Sequence, residues 1–269
     1  MNFTFIEHLR LYLENSEVFG WKFIMGGCKA LALALLLFKI LEVFVNSTLH
    51  TDEQAPRVTA LFNIFGYAFF IMSSDWIVGA IESMFSVIDS SMYGTPSNLY
   101  DELTMSIKQH NDDLLNNLGF LDMISMPLDA LLTLFYGALL SFLITLCKIA
   151  DLAMTAGYLI ARIFLLQLMK LLFPLVIALS TLDLTKDLLA KWIKRYIGLF
   201  LLGLAYIGII NFCSALQDTL LLQFKNDESG ELMGMGHFIY GACITVVVVF
   251  TFKVKMFGTV TSYINSLFS

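Results

Sequence analysis

Charged residues and proline are scarce in this sequence. Only 14% of the 269 residues are charged and only four are proline, whereas a soluble domain carries about 25% charged residues. Lysine and arginine number 16 against 22 acidic residues, which argues against a basic surface for binding nucleic acid. Because 58% of the residues are hydrophobic, the composition indicates an integral membrane protein.

Cysteine and histidine are also few, and they are dispersed. The four cysteines lie singly in apolar stretches without a C-x-x-C pair, which favours small buried hydrophobic residues over a disulfide or a metal site. No phosphate-binding G-x-x-x-x-G-K-S/T motif and no recognisable nucleophile motif occurs. We therefore predict that the chain is not an enzyme and binds no cofactor or metal.

Long apolar stretches make up most of the chain. A helix of about 20 residues crosses the roughly 30 Å hydrocarbon layer of a bilayer. The stretches of sufficient length are 21–45, 58–88, 127–147, 152–180, 193–217 and 236–257. They predict an all-α, polytopic transmembrane helical bundle with five or six crossings and additional amphipathic interfacial helices. The stretch from 127 to 180 is too long for one crossing, so we expect either a hairpin turning within 147–158 or a crossing preceded by an interfacial helix.

Polar segments divide the chain into five regions. The predicted regions are an amphipathic N-terminal segment (1–20), a first transmembrane pair (21–89), a polar loop (90–126), a C-terminal transmembrane core (127–258) and a short tail (259–269). Lysine and arginine are concentrated in a link at 181–195 inside the core. By the positive-inside rule, this link and the C-terminus are expected to be cytoplasmic, in a multi-pass protein of the inner, or plasma, membrane.

Several ionisable residues lie at membrane depth. Each costs about 2.5–3.5 kcal/mol at a helix centre, so each should face a partner or water. The residues for which we expect polar partners are Asp75, Glu82, Asp151 and Arg162. Asp151 and Arg162 share a helix face, and Asp75 is the expected partner of Arg162; structural pairing and a water-lined path both remain open. Snorkelling to the headgroups is expected for Lys39, Glu42 and Lys170.

Small residues recur on two of the predicted spans. The positions are Gly26, Ala30 and Ala34 on the first span and Gly198, Gly203 and Gly208 on the fifth. Such ridges allow helices to approach closely. The packing can be within the chain or between copies of it.

The link at 181–195 is amphipathic. Its apolar face includes Leu188, Leu189 and Trp192, and lysines occupy the opposite face. A helix of this kind lies in the membrane interface, anchored by its tryptophan. It either anchors the chain only or docks a cytoplasmic partner. We predict docking through Trp192, Lys191, Lys194, Arg195 and Tyr196.

Residues 162–210 carry an ordered series of features. An arginine and a phenylalanine begin an apolar helix, which contains a proline that should kink it. A short acidic link follows and leads to a tryptophan. A basic residue and an aromatic residue then precede a second span. The residues are Arg162, Phe164, Pro174, Ser180, Asp183, Trp192, Arg195 and Tyr196. In this order of features the segment resembles the polytopic inner-membrane subunit of type IV secretion systems, the TrbL and VirB-six family, and in particular its TraJ-type members on conjugative elements of Bacteroidetes. Phe173 departs from the family, which often has a small residue before the proline.

The resemblance implies a structural or channel subunit of a conjugative secretion apparatus that supports DNA-protein translocation and stalk or pilus assembly. The implied partners are copies of itself, stalk or pilin proteins, secretion ATPases, the lipid bilayer and, transiently, the DNA-protein substrate. The alternative function is a small secondary transporter or ion channel, in which the charges at membrane depth form a relay. No inverted repeat supports that alternative.

Overall fold

The protein is helical throughout the part that a computed structural model describes, namely residues 8, 11–12, 20–49, 56–93, 100, 104–105, 108, 128–182, 185–225 and 233–268. The predicted N-terminal segment and the polar loop at 90–126 lie mostly outside these residues. Six helices and no strand occur within them. The helices are α1 (Trp21–Leu49), α2 (Pro56–Met72), α3 (Ser74–Tyr93), α4 (Leu128–Leu179), α5 (Leu188–Lys225) and α6 (Met233–Leu267).

Helix α4 is continuous over 52 residues. At 1.5 Å per residue it is about 78 Å long, more than twice the thickness of the hydrocarbon layer. The expected hairpin within 147–158 is therefore wrong, as is a separate interfacial helix before the crossing. The reason is local, because residues 147–158 contain one glycine and no proline, so nothing there interrupts a helix. Pro174 lies inside α4, five residues before its end.

A sharp bend separates α2 from α3. The segments Leu61–Met72 and Ser74–Phe85 meet at 60°. No proline lies there; instead, the Ser73 hydroxyl donates a 2.6 Å hydrogen bond to the carbonyl of Phe69. A serine that bonds the carbonyl four residues earlier is a known cause of helix bending. The sequence predicts one candidate span over 58–88, without indicating this bend.

Three helices among the described residues are long and apolar enough to cross a membrane. They are Phe135–Leu179, Leu188–Leu220 and Cys243–Leu267, and a fourth crossing results if the bent pair α2–α3 is one span. Large apolar side chains such as Phe23, Phe62 and Trp76 are more than 70% exposed, which suits a lipid environment. The chain is thus a helical membrane protein, but five or six crossings are not confirmed.

The helices form two compact units. The first unit contains residues 94–158 and 205–260 with 1–3, and the second contains 4–93, 159–204 and 261–269. In the first unit α4 and α6 run parallel, since Asp151 meets Lys253 and Tyr158 meets Phe257. In the second unit α4 and α5 run antiparallel, since Arg162 meets Leu199 and Met169 meets Trp192.

The continuity of α4 predicts the effect of alanine at Gly157. This residue is exposed, and a Cβ atom there would contact nothing within 4 Å. Gly157→Ala should raise the free energy of unfolding by about 0.5–1 kcal/mol, because glycine weakens a helix interior. Thermal unfolding in detergent measures it.

Gly20→Ala provides the opposite control for that experiment. Gly20 has a φ of 60°, which costs other residues about 1–2 kcal/mol, so its alanine variant should be destabilised. A loss of stability in Gly157→Ala as well would indicate a turn at residue 157 and contradict the continuous helix.

Candidate functional site

Arg162 is buried in the second unit against the backbone of α5. Its Nε donates a 2.8 Å hydrogen bond to the carbonyl of Leu199, and its guanidinium lies over the Phe200 ring, 5.8 Å from the centroid. Gly203 makes room for it, since a Cβ there would lie 2.5 Å from Cζ of Arg162. The expected ion pair with Asp75 is wrong, because Asp75 instead pairs with Lys29 at 2.7 Å.

Four aromatic rings form a stack that joins α4 to α5. The ring of Trp192 stacks on Phe173 at 4.4 Å between centroids and on Tyr196 at 4.8 Å, and Tyr196 meets Phe200 edge to face at 5.2 Å. The indole Nε1 of Trp192 donates a 3.2 Å hydrogen bond to the carbonyl of Met169. Phe173, the residue that departs from the family pattern, therefore provides one face of this stack.

The burial of Trp192 and Tyr196 changes their expected role. Trp192 is 5% exposed and Tyr196 is 1% exposed. Neither ring is therefore available on the surface of the chain to dock a partner, and this part of the prediction is wrong. The physical reason is that the Trp192 ring packs against Phe173 of α4. The Tyr196 ring stacks on Trp192, and its hydroxyl bonds Glu82 of α3. Lys191, Lys194 and Arg195 are exposed.

The link at 181–195 is also not a separate interfacial helix. Its residues from Leu188 onward are the first two turns of α5. The turn before them closes the C-terminal end of α4, where the hydroxyls of Ser180, Thr181 and Thr185 donate to the carbonyls of Ile177, Ala178 and Leu179. These are three of the four carbonyls that a helix end leaves without a partner inside the helix.

Glu82 of α3 connects the aromatic stack to a second helix. One carboxylate oxygen accepts a 2.9 Å hydrogen bond from Lys170, and the other accepts a longer one of 3.3 Å from the Tyr196 hydroxyl. Lys170 thus pairs across helices, and the prediction that it snorkels is wrong. Lys39 and Glu42, also expected to snorkel, form an ion pair of 3.0 Å along α1.

The small-residue ridges have different surroundings at different positions. Gly198 packs against the Phe268 side chain, and Gly203 packs against Arg162, so these two glycines allow close approach within the chain. Around Gly26 and Gly208 an added Cβ would have nothing within 4 Å. Ala30 and Ala34 are exposed on α1.

Asp151 and Lys253 form a buried ion pair in the first unit. Lys253 Nζ donates to Asp151 Oδ2 at 2.8 Å, and the two side chains are 6% and 2% exposed. The sequence indicates that Asp151 needs a partner, but it does not single out Lys253 as that partner. One feature of the sequence could have indicated that Lys253 lies inside a helix, namely that residues 256–267 contain no further charge. Helix α6 continues through them to Leu267.

Unpartnered polar atoms lie in the same unit. Among the residues that the structure describes, Asp151 Oδ1 and the hydroxyls of Thr155, Thr245 and Tyr100 have no hydrogen-bond partner. Burial, and secondly the negative charge of Asp151, raise the pKa of Tyr100 far above its ordinary value. Tyr100 therefore stays protonated at physiological pH, where its hydroxyl remains a hydrogen-bond donor.

The carboxylates of Glu82 and Asp151 therefore differ in how completely they are hydrogen-bonded. In the second unit the carboxylate oxygens of Glu82 both accept hydrogen bonds, as expected of a structural network. In the first unit the ion pair has open hydrogen-bonding positions beside it, where a small polar species could bind or a proton could move. No group of three or more His, Cys, Asp or Glu that could hold a metal occurs within the described ranges.

The comparisons with known proteins add no family. Neither the protein-family models nor the curated proteins include a match to this chain. The resemblance to type IV secretion subunits therefore rests on residues 162–210 alone.

The contact between Gly203 and Arg162 predicts the effect of alanine at Gly203. The added Cβ would displace a guanidinium held by Leu199 and Phe200, so Gly203→Ala should lower the free energy of unfolding by about 1–3 kcal/mol. Gly208→Ala is the matched control on the same helix and should not destabilise, because its Cβ meets nothing. Equal melting temperatures of the two variants would contradict the close contact.

The buried ion pair predicts a non-additive pair of substitutions. Asp151→Asn or Lys253→Met should each cost about 3–5 kcal/mol, because either leaves a buried charge without its partner. The double variant should be less destabilised than either single variant. Lys255→Met, at an exposed lysine of α6, is the control and should change little. Additive losses in chemical denaturation would exclude a coupled pair.

Proposed function

We propose that this protein is a structural or channel subunit of the inner-membrane complex of a conjugative type IV secretion system. The observation that carries the proposal is the convergence of the family-like residues. Arg162 of α4 bonds the backbone of α5, and Trp192 of α5, on which Tyr196 stacks, packs against Phe173 of α4. A motif whose members hold two long helices together suits a scaffold. This role would also explain why these residues follow one another in the order typical of the family.

The proposed role places the chain in the inner, or plasma, membrane with five or six crossings. We propose a cytoplasmic location for the C-terminus and for the region 181–195, as the lysine and arginine distribution indicates. The partners would be further copies of the chain, the stalk or pilin proteins and the secretion ATPases, with the DNA-protein substrate passing transiently. The chain would act as conduit and scaffold without catalysing a reaction.

The exposed basic residues at the start of α5 are the proposed docking surface. Lys191, Lys194 and Arg195 project from the helix while Trp192 and Tyr196 of the same turns are buried. Exposed lysines and arginines direct the choice and orientation of a partner mainly through electrostatic complementarity. An acidic surface on a cytoplasmic subunit would fit them.

Neutralising this surface tests the proposal. Changing Lys191, Lys194 and Arg195 together to glutamine should leave the amount of protein in the membrane unchanged, because their side chains are exposed. We expect conjugative transfer to fall at least about tenfold, which corresponds to a loss of about 1.4 kcal/mol of binding free energy. Co-purification of the secretion ATPases should fall in parallel.

The matched control removes the same charge elsewhere. Lys22, Lys108 and Lys255 are exposed lysines on other parts of the chain, and their triple glutamine variant should transfer normally. Normal transfer by the Lys191, Lys194 and Arg195 variant, at normal abundance, would refute docking at this surface. A chromosomal locus without secretion ATPase or relaxase genes would count against the secretion role itself.

A second candidate function is a small secondary transporter or ion channel. The buried Asp151–Lys253 pair favours it, since ionisable residues inside a membrane bundle commonly lie on ion or proton pathways. Ion or proton flux in liposomes that contain only the purified protein, abolished by Lys253→Met, would support this candidate. Absence of flux would indicate that the pair has only a structural role.

A further inference from the structure

Thr155 and Thr245 differ from other helical threonines of the first unit. The hydroxyls of Thr145 and Thr219 each donate a 2.8 Å hydrogen bond to the carbonyl four residues earlier. Thr155 and Thr245 are 1% exposed, and within the described part of the chain their hydroxyls bond nothing. Any helical threonine can bond a carbonyl of the preceding turn, but these two hydroxyls do not use it.

Thr155 lies one helical turn after Asp151, so the two side chains occupy the same face of α4. Asp151 Oδ2 is bonded to Lys253, whereas Oδ1 is buried and has no partner in the described residues. The Lys253 ammonium has three N–H groups, of which the carboxylate takes one. An open acceptor on Asp151 and open donors on Lys253 therefore lie side by side between α4 and α6, one helical turn from Thr155.

The charge of these groups restricts what can bind there. The ion pair is neutral as a whole, so an added anion or cation would introduce net charge into a medium of low dielectric constant. The carboxylate would repel the anion and the ammonium would repel the cation. A small neutral molecule that both donates and accepts hydrogen bonds meets the requirement. A buried water molecule typically makes about three hydrogen bonds to such groups.

We propose that Asp151, Thr155 and Lys253 form a buried hydration site, where a bound water molecule bridges the carboxylate, the hydroxyl and the ammonium. The bound water exchanges with solvent when the bundle opens locally, and the ammonium protons of Lys253 then exchange one for one with protons of the incoming water. The apolar bundle then contains a proton-accessible centre. This inference does not depend on the proposed secretion role.

Thr155→Val distinguishes a hydrated site from a dry one by the sign of its effect. Valine keeps the shape of threonine but lacks the hydroxyl. In a dry site the substitution removes an unsatisfied buried group and raises the melting temperature. In a hydrated site it removes a partner of the water and leaves Asp151 Oδ1 unsatisfied, so we expect a fall of about 2–4 °C. Thr145→Val is the control, since that hydroxyl is exposed and bonds its own helix.

Infrared spectroscopy of the wild-type protein in D₂O tests the site even if the variant does not fold. The carboxylate stretch of Asp151 is identified by its loss in the Asp151→Asn, Lys253→Met double variant, which we expect to be less destabilised than Asp151→Asn alone. We expect this band to shift within minutes of transfer into D₂O, because deuterons reach the water and the ammonium. A band that stays unshifted for hours, or a higher melting temperature of Thr155→Val, would overturn the proposal.

Discussion

The cost of placing a charge in hydrocarbon determines how these helices associate. An isolated ionised group inside a membrane bundle requires a partner, and breaking a buried pair leaves the other charge uncompensated. Glu82–Lys170 and Asp151–Lys253 each join helices from distant parts of the sequence. Such pairs contribute less to stability than their Coulomb attraction suggests, because desolvation offsets it. We regard them mainly as determinants of which helices meet and in which register.

Helix α4 supplies a charge to both units, Asp151 to the first and Lys170 to the second. Its uninterrupted length makes this possible, because one continuous helix carries polar groups at several positions along its sequence. The neighbouring contacts differ in kind. Around Lys170 a carboxylate and a phenol complete the network, whereas around Asp151 the pair is adjacent to hydroxyls that bond nothing in the described residues. The same helix thus carries a fully hydrogen-bonded carboxylate contact at one level and a partly satisfied ion pair at another.

The aromatic stack gives a physical meaning to the family-like segment. Trp192 and Tyr196, which the sequence predicts to lie on a docking surface, are instead buried in a stack through which α5 packs on Phe173 of α4. A large buried aromatic side chain contributes more free energy through burial than an exposed one does through occasional contact. The same turns of α5 present their lysines and arginine outward. One short stretch can therefore stabilise the fold with one face and remain available to a partner with the other.

Composition and hydropathy determined that this is a helical membrane protein, because long apolar stretches with few charges can satisfy their backbone in lipid only as helices. Hydropathy also located the apolar parts of α4, α5 and α6, and it identified Asp151 and Arg162 as groups that need partners. Only the tertiary structure decided those partners. Lys29 rather than Arg162 meets Asp75, and Lys253 meets Asp151, because pairing depends on which helix faces come together across 46 and 102 residues of sequence. Helix packing also decided that Trp192 is buried. A tryptophan on an amphipathic turn suits a membrane interface and a contact with a neighbouring helix equally well. Here α4 lies against it, so the ring is buried in a helix contact.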